Sequence, residues 1–139
     1  MANYYATARS NYFAVKDEEA FMAWAATVPD VSVVTRQTDG NKLFALLVDD
    51  GDYGGWPSFR YDEDTDEESE ICILGELADH LAPGHVAVLM EAGAEKLRYV
   101  TGWAGAVNDQ GEMIQLCLSD IMDMVRDKWP GSEVTDCSY

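Results

Sequence analysis

The stretch from Asp49 to Glu70 constrains this chain more than any other feature. It opens with Asp49-Asp50-Gly51-Asp52-Tyr53-Gly54-Gly55-Trp56-Pro57, where glycine entropy and proline geometry oppose a helix. It closes with Asp62-Glu63-Asp64-Thr65-Asp66-Glu67-Glu68-Ser69-Glu70, in which seven of nine residues are carboxylates. Like charges at that density cannot enter an apolar interior, so the reading is an exposed, mobile acidic loop over 49–70. The core must then come from the segments on either side.

Those segments read as alternating short strands and helices. Ser10 to Val15 is a strand or extended lead-in. Asp17 caps a helix whose Ala20, Phe21, Trp24 and Ala25 share one face, and Pro29 ends it. Val31 to Arg36 and Leu43 to Val48 form a hairpin across Asp39-Gly40-Asn41, with a loop slightly long for a two-residue turn. A short helix is expected over Glu76 to Leu81, stopped by Pro83-Gly84. His85 to Glu91, Leu97 to Val107 and Ile114 to Leu118 are the remaining strands, the last two joined by Asn108-Asp109-Gln110-Gly111. On the long strand Tyr99, Thr101, Trp103, Gly105 and Val107 alternate with the small face of Gly102, Ala104 and Ala106, which suits a closely packed helix or a bulge. Ser119 is placed to cap a last helix with Ile121, Met122, Val125 and Trp129 on one stripe. At 139 residues with no linker or repeat, the chain reads as one α+β domain. Its mainly antiparallel sheet of about five strands carries two or three packed helices.

The formal charge of −17, from 26 acidic against 9 basic side chains, bounds the partners. It repels nucleic acid and anionic lipid and attracts basic surfaces, with a strength that salt reduces. Direct nucleic-acid binding is not expected. No run approaches the roughly 18 apolar residues of a membrane span. The opening Met1-Ala2-Asn3-Tyr4-Tyr5 lacks the features of a secretory signal, and Cys72, Cys117 and Cys137 form no disulfide framework. Cytoplasmic residence is the expectation.

Catalytic and metal readings find weak support. A calcium loop started at Asp50 lacks oxygen ligands at its fifth and twelfth positions, Gly54 and Tyr61. His80 and His85 with Cys72 show no zinc spacing, so no metal or cofactor is expected. A small hydrolase would draw on Cys72 or Cys117 with a histidine, or on Glu91 and Glu95 as a carboxylate pair. The sequence favours instead an acidic protein-binding module. Asp62, Glu63, Asp64, Asp66, Glu67, Glu68 and Glu70 supply its field; Tyr53 and Trp56 are its anchors, with Phe59 nearby. The alternative to anchoring is that Trp56-Pro57 tucks the loop against the core.

Three segments carry a resemblance: Asn11 to Asp17; Asp49-Asp50-Gly51 with Gly54 to Ser58; and Glu91 to Tyr99. Together they resemble uncharacterised small acidic proteins of bacterial mobile elements. The resemblance implies a plasmid- or phage-like setting, in which small acidic proteins include inhibitors of restriction and CRISPR systems. Such an inhibitor would imitate nucleic acid and occupy the basic groove of a DNA- or RNA-handling enzyme. A single strand cannot copy the phosphate array, since same-face side chains lie about 6.6 Å apart against roughly 3.4 Å per phosphate step. A loop joined to acidic helix faces could approximate the field. Monomer and dimer are both open, an exposed edge strand being one route to the latter.

Overall fold

The computed structural model describes residues 4–49, 55–95 and 99–137. These form one α+β domain with eight strands and three helices. The strands are β1 (Tyr4–Ser10), β2 (Val31–Thr38), β3 (Asn41–Val48), β4 (Phe59–Asp62), β5 (Glu67–Glu70), β6 (Val86–Glu95), β7 (Tyr99–Asn108) and β8 (Met113–Cys117). The helices are α1 (Glu18–Ala25), α2 (Ile73–Ala78) and α3 (Asp120–Lys128). Six strands make one antiparallel sheet in the order β2-β3-β1-β6-β7-β8, while β4 and β5 form a separate hairpin.

Local signals account for several elements directly. Asp17 caps α1, its Oδ1 accepting from the Ala20 amide at 3.1 Å. Thr38 pairs with Asn41, so β2 and β3 meet across a tight two-residue turn, not the longer loop expected. Asp39 and Gly40 both take positive φ, 50° and 81°, the geometry that matches a hairpin's twist.

The position of β1 in mid-sheet depends on two side chains that finish its pairing where the strand stops. Ser10 is buried, and its Oγ accepts from the Leu46 amide at 2.8 Å on the β3 side. Asn11 does the same toward β6, donating to Val86 O and accepting from the Val88 amide. Backbone groups that would lack ladder partners are thereby satisfied.

The core lies on one face of the sheet. Phe44 and Leu46 of β3, Ala87 and Leu89 of β6, and Val107 of β7 point into it. Phe21 of α1 covers β3, its ring centroid 5.2 Å from that of Phe44 and 5.8 Å from that of Phe13. Ile73, Leu74 and Leu77 of α2 cover β6 and β7. The helix approaches most closely at Gly105, where an added Cβ would lie 2.6 Å from Leu74 Cδ1. The close helix contact therefore falls on the Trp103–Gly105–Val107 side of β7, not on the small Gly102–Ala104–Ala106 side where the sequence placed it.

Two further expectations are corrected. The acidic run is exposed, but Phe59–Asp62 and Glu67–Glu70 pair as strands and do not form an irregular loop. Alternation of Phe59 and Tyr61 gives β4 a two-residue period, and exposure keeps the carboxylates in high dielectric, where their repulsion is small. The stripe on α3 does not join the core either: Ile121 is 52 % and Trp129 59 % exposed, and no residue of this helix is buried.

Candidate functional site: an acidic hairpin

The β4–β5 hairpin pairs Phe59 with Glu70, Arg60 with Ser69, Tyr61 with Glu68 and Asp62 with Glu67. Cross-strand partners share a face, so Phe59, Tyr61, Glu68 and Glu70 lie on one side and Arg60, Asp62, Glu67 and Ser69 on the other. The second side is tied to the body of the protein. Arg60 Nη2 donates to Glu76 Oε1 of α2 at 2.8 Å, and its Nε donates to Thr27 O at 3.1 Å. The first side therefore faces outward, with Phe59 53 % and Tyr61 58 % exposed beside two carboxylates.

A four-residue turn, Glu63 to Asp66, closes the hairpin. Asp62 Oδ1 accepts from the Asp64 amide at 2.9 Å, and Asp66 adopts a left-handed φ of 57°. The Tyr61 hydroxyl donates to Asp66 Oδ1. That hydrogen bond raises the Tyr61 pKa by holding its proton, with a smaller contribution from burial. All seven carboxylates of the run are exposed, and Asp62 stands directly opposite Glu67. A like-charged pair in that position destabilises a ladder. The tether at Arg60 and the backbone bonds must offset it.

Glu76 anchors the tether. It accepts from Arg60 and from Trp24 Nε1, the latter at 2.9 Å. Burial alone would raise its pKa, but the hydrogen bonds from Trp24 and Arg60, and the Arg60 charge, outweigh burial and hold it below the ordinary 4.5. The His80 ring stacks near Trp24, centroids 5.3 Å apart. Burial holds the His80 pKa below 6.5, and Lys16 adds to the effect, against the opposing fields of Asp79, Asp17 and Glu76.

The expected site residues separate into three groups. Asp62, Glu63, Asp64, Asp66, Glu67, Glu68 and Glu70 come together on the hairpin. Tyr53 lies outside the described residues, as do Asp50 to Gly54 of the calcium-loop reading. Trp56 belongs to the core and presents no ring to a partner. It is 9 % exposed, its indole N–H donates to Met90 O at 3.1 Å, and its amide donates to Glu91 Oε1 at 2.8 Å. The tucked arrangement of Trp56-Pro57 is the one found. Sequence reasoning missed Tyr61 as a surface aromatic and Arg60 as the tether. The alternation Phe59-Arg60-Tyr61-Asp62 was the available signal, hidden by the charge of the carboxylates from Glu63 onward.

Some of the side chains considered for hydrolysis have structural partners. Glu91 is committed to structure, accepting from the Tyr4 hydroxyl at 2.9 Å as well as from Trp56. Glu91 and Glu95 are four residues apart on one face of β6, a backbone span of about 13 Å. Cys72, Cys117 and Cys137 are free and exposed. Their apolar neighbours bury at Ile71 and Ile73, whereas around Cys117 both Leu116 and Leu118 are exposed. Among the described residues, neither histidine lines the clefts at Cys72, Cys117 and Cys137. His85 Nδ1 accepts from the Ala14 amide at 3.2 Å. Among the described residues no group of three or more His, Cys, Asp or Glu side chains could hold a metal ion, and no helix is long and apolar enough to cross a membrane.

No protein-family model, curated protein or solved structure matches the chain.

Proposed function

We propose that this protein is an acidic protein-binding module that docks its β4–β5 hairpin on a basic surface. The observation that carries the reading is the hairpin's construction. Seven exposed carboxylates stand on a two-stranded unit outside the main sheet, pinned to the body by Arg60, with Phe59 and Tyr61 displayed among them. Charge at that density steers a basic partner and sets salt dependence, while the two rings supply apolar contact at the centre. The basic groove of a nucleic-acid-handling enzyme is one surface of this kind, and competition by duplex DNA identifies it.

The test is capture of partners by the immobilised chain, followed by titration of the partner identified. Neutralising Asp62, Glu67, Glu68 and Glu70 to their amides should weaken binding about tenfold or more at low salt and remove most of its salt dependence. Binding unchanged by the four substitutions, in a variant that unfolds like the wild type, would refute the proposal.

A further inference from the structure

Among the described residues, no element covers the second face of the main sheet over β6, β7 and β8. Helices α1 and α2 lie on the opposite side, and the residues left bare are apolar: Met90 is 59 %, Val100 61 %, Ile114 76 % and Leu116 58 % exposed. With Val86 and Leu118 they expose on the order of 600 Å² of side chain, near the ~800 Å² per partner of a standard interface and at the top of the ~300–600 Å² patch found on monomers.

Acidic charge has been excluded from the strands of this face. The chain holds 26 carboxylates, yet none occupies a described strand position on this side of the sheet. Its charged strand residues are Arg9 and Arg36, whose guanidinium groups lie 5.8 and 4.2 Å from the Tyr12 ring centroid, toward the β2 edge. A solubilising distribution of acid would not omit the most exposed apolar area.

The face also has relief. Gly102 and Ala104 of β7 floor a trough of about 370 Å³, with Met90 of β6 and, beside it, Arg9 of β1 on one side and Leu116 of β8 on the other. Ridge and groove on the same surface are what an isologous two-fold contact requires, because each copy must offer both. The apolar area continues past Leu118 into a hollow of about 590 Å³ that Val100, Ile121 and Met122 share, which brings the exposed side of α3 to the margin of the same surface.

We propose that a second copy of the chain covers this face, sheet against sheet, with the Met90 or Leu116 ridge of each copy in the β7 trough of the other. A basic partner finds no carboxylate on the strands of this face to pair with, Asp136 standing only at the margin of the hollow, whereas a second copy meets an apolar surface of matching shape. Two chains that each carry −17 repel outside the contact, so added salt strengthens this association. Salt has the opposite effect on the hairpin interaction, and the two interactions fail independently.

Sedimentation equilibrium of the full chain at about 100 μM, well above a micromolar Kd, tests the proposal at low salt and at roughly 0.5 M salt. The expected mass is twice the 15.4 kDa of one chain, with tighter association at high salt. Met90→Glu and Val100→Glu each place a carboxylate on the face while leaving the β8 edge intact. Either should raise the dimer dissociation constant about thirtyfold or more, with far-UV circular dichroism unchanged. A wild-type chain sedimenting at 15.4 kDa in both salts would overturn the proposal. So would undiminished dimerisation of either folded variant, since association would then run through the β8 edge or another surface.

Discussion

Removing the Arg60 side chain should loosen the acidic hairpin at its ionic tether to α2. The guanidinium makes two hydrogen bonds, to Glu76 Oε1 at 2.8 Å and Thr27 O at 3.1 Å, and the two ion-pair side chains are 28 % and 31 % exposed. A hydrogen bond to a charged group contributes about 1.5–3 kcal/mol when shielded, and an exposed ion pair no more than about 1. Exposure near one-third places Arg60→Ala at a loss of about 1.5 kcal/mol. Glu76 keeps its bond from Trp24, which limits the cost of leaving its carboxylate behind. A double-mutant cycle with Glu76→Gln, read by urea unfolding, should give a coupling of about 1 kcal/mol. Arg60→Lys should restore part of the charge interaction but not both hydrogen bonds, because the ammonium lacks the planar fork. Amide exchange across β4 and β5 should accelerate in Arg60→Ala more than in the main sheet. A coupling below about 0.3 kcal/mol would refute the reasoning and leave the hairpin held by its backbone alone.

Further expectations concern stability and the outward face. Gly93→Ala should destabilise the fold by about 1–3 kcal/mol in denaturant melts, because a Cβ there would lie 2.6 Å from the Tyr5 backbone oxygen, which cannot swing aside. Acid should destabilise in two stages. His80 and Glu76 both have folded-state pKa values below their ordinary 6.5 and 4.5, so their contributions are present above those values and are lost as pH falls through the folded ones. The pH dependence of unfolding midpoints checks this, and Glu76→Gln should flatten the lower stage. Phe59→Ala and Tyr61→Ala should each change stability by less than about 1 kcal/mol, since both rings are more than half exposed, yet weaken partner binding by about tenfold.

What the sequence disclosed was largely local. The Asp17 cap, the turn at Asp39-Gly40 and the alternation along Tyr99–Asn108 each act within a few residues, and each has its place in the fold. Strand order was not legible. Nothing near Ser10 or Asn11 announces that their side chains will complete pairing with Leu46 and with Val86 and Val88, residues 36 to 77 positions away. Charge density misled in one segment, since repulsion between Asp62 and Glu70 was weighed without the solvent that screens it or the pairing that Phe59 and Tyr61 begin. Helical period misled in another: Ile121, Val125 and Trp129 form a stripe, but a stripe states only that a face is apolar, not what covers it. The same holds for the small face of β7, whose glycine and alanines pointed to a close-packed neighbour that the domain's own helices do not supply.

The central claim is that the hairpin's carboxylates, and not the net charge spread over the whole surface, make the binding surface. Its most direct test compares the captured partner's affinity for two variants of equal charge. One carries Asp62→Asn, Glu67→Gln, Glu68→Gln and Glu70→Gln; the other neutralises four exposed carboxylates elsewhere, at Glu19, Asp123, Asp127 and Glu133. The hairpin variant should lose about tenfold or more while the control stays within about twofold of wild type. Equal losses in the two would contradict the account and assign binding to overall charge.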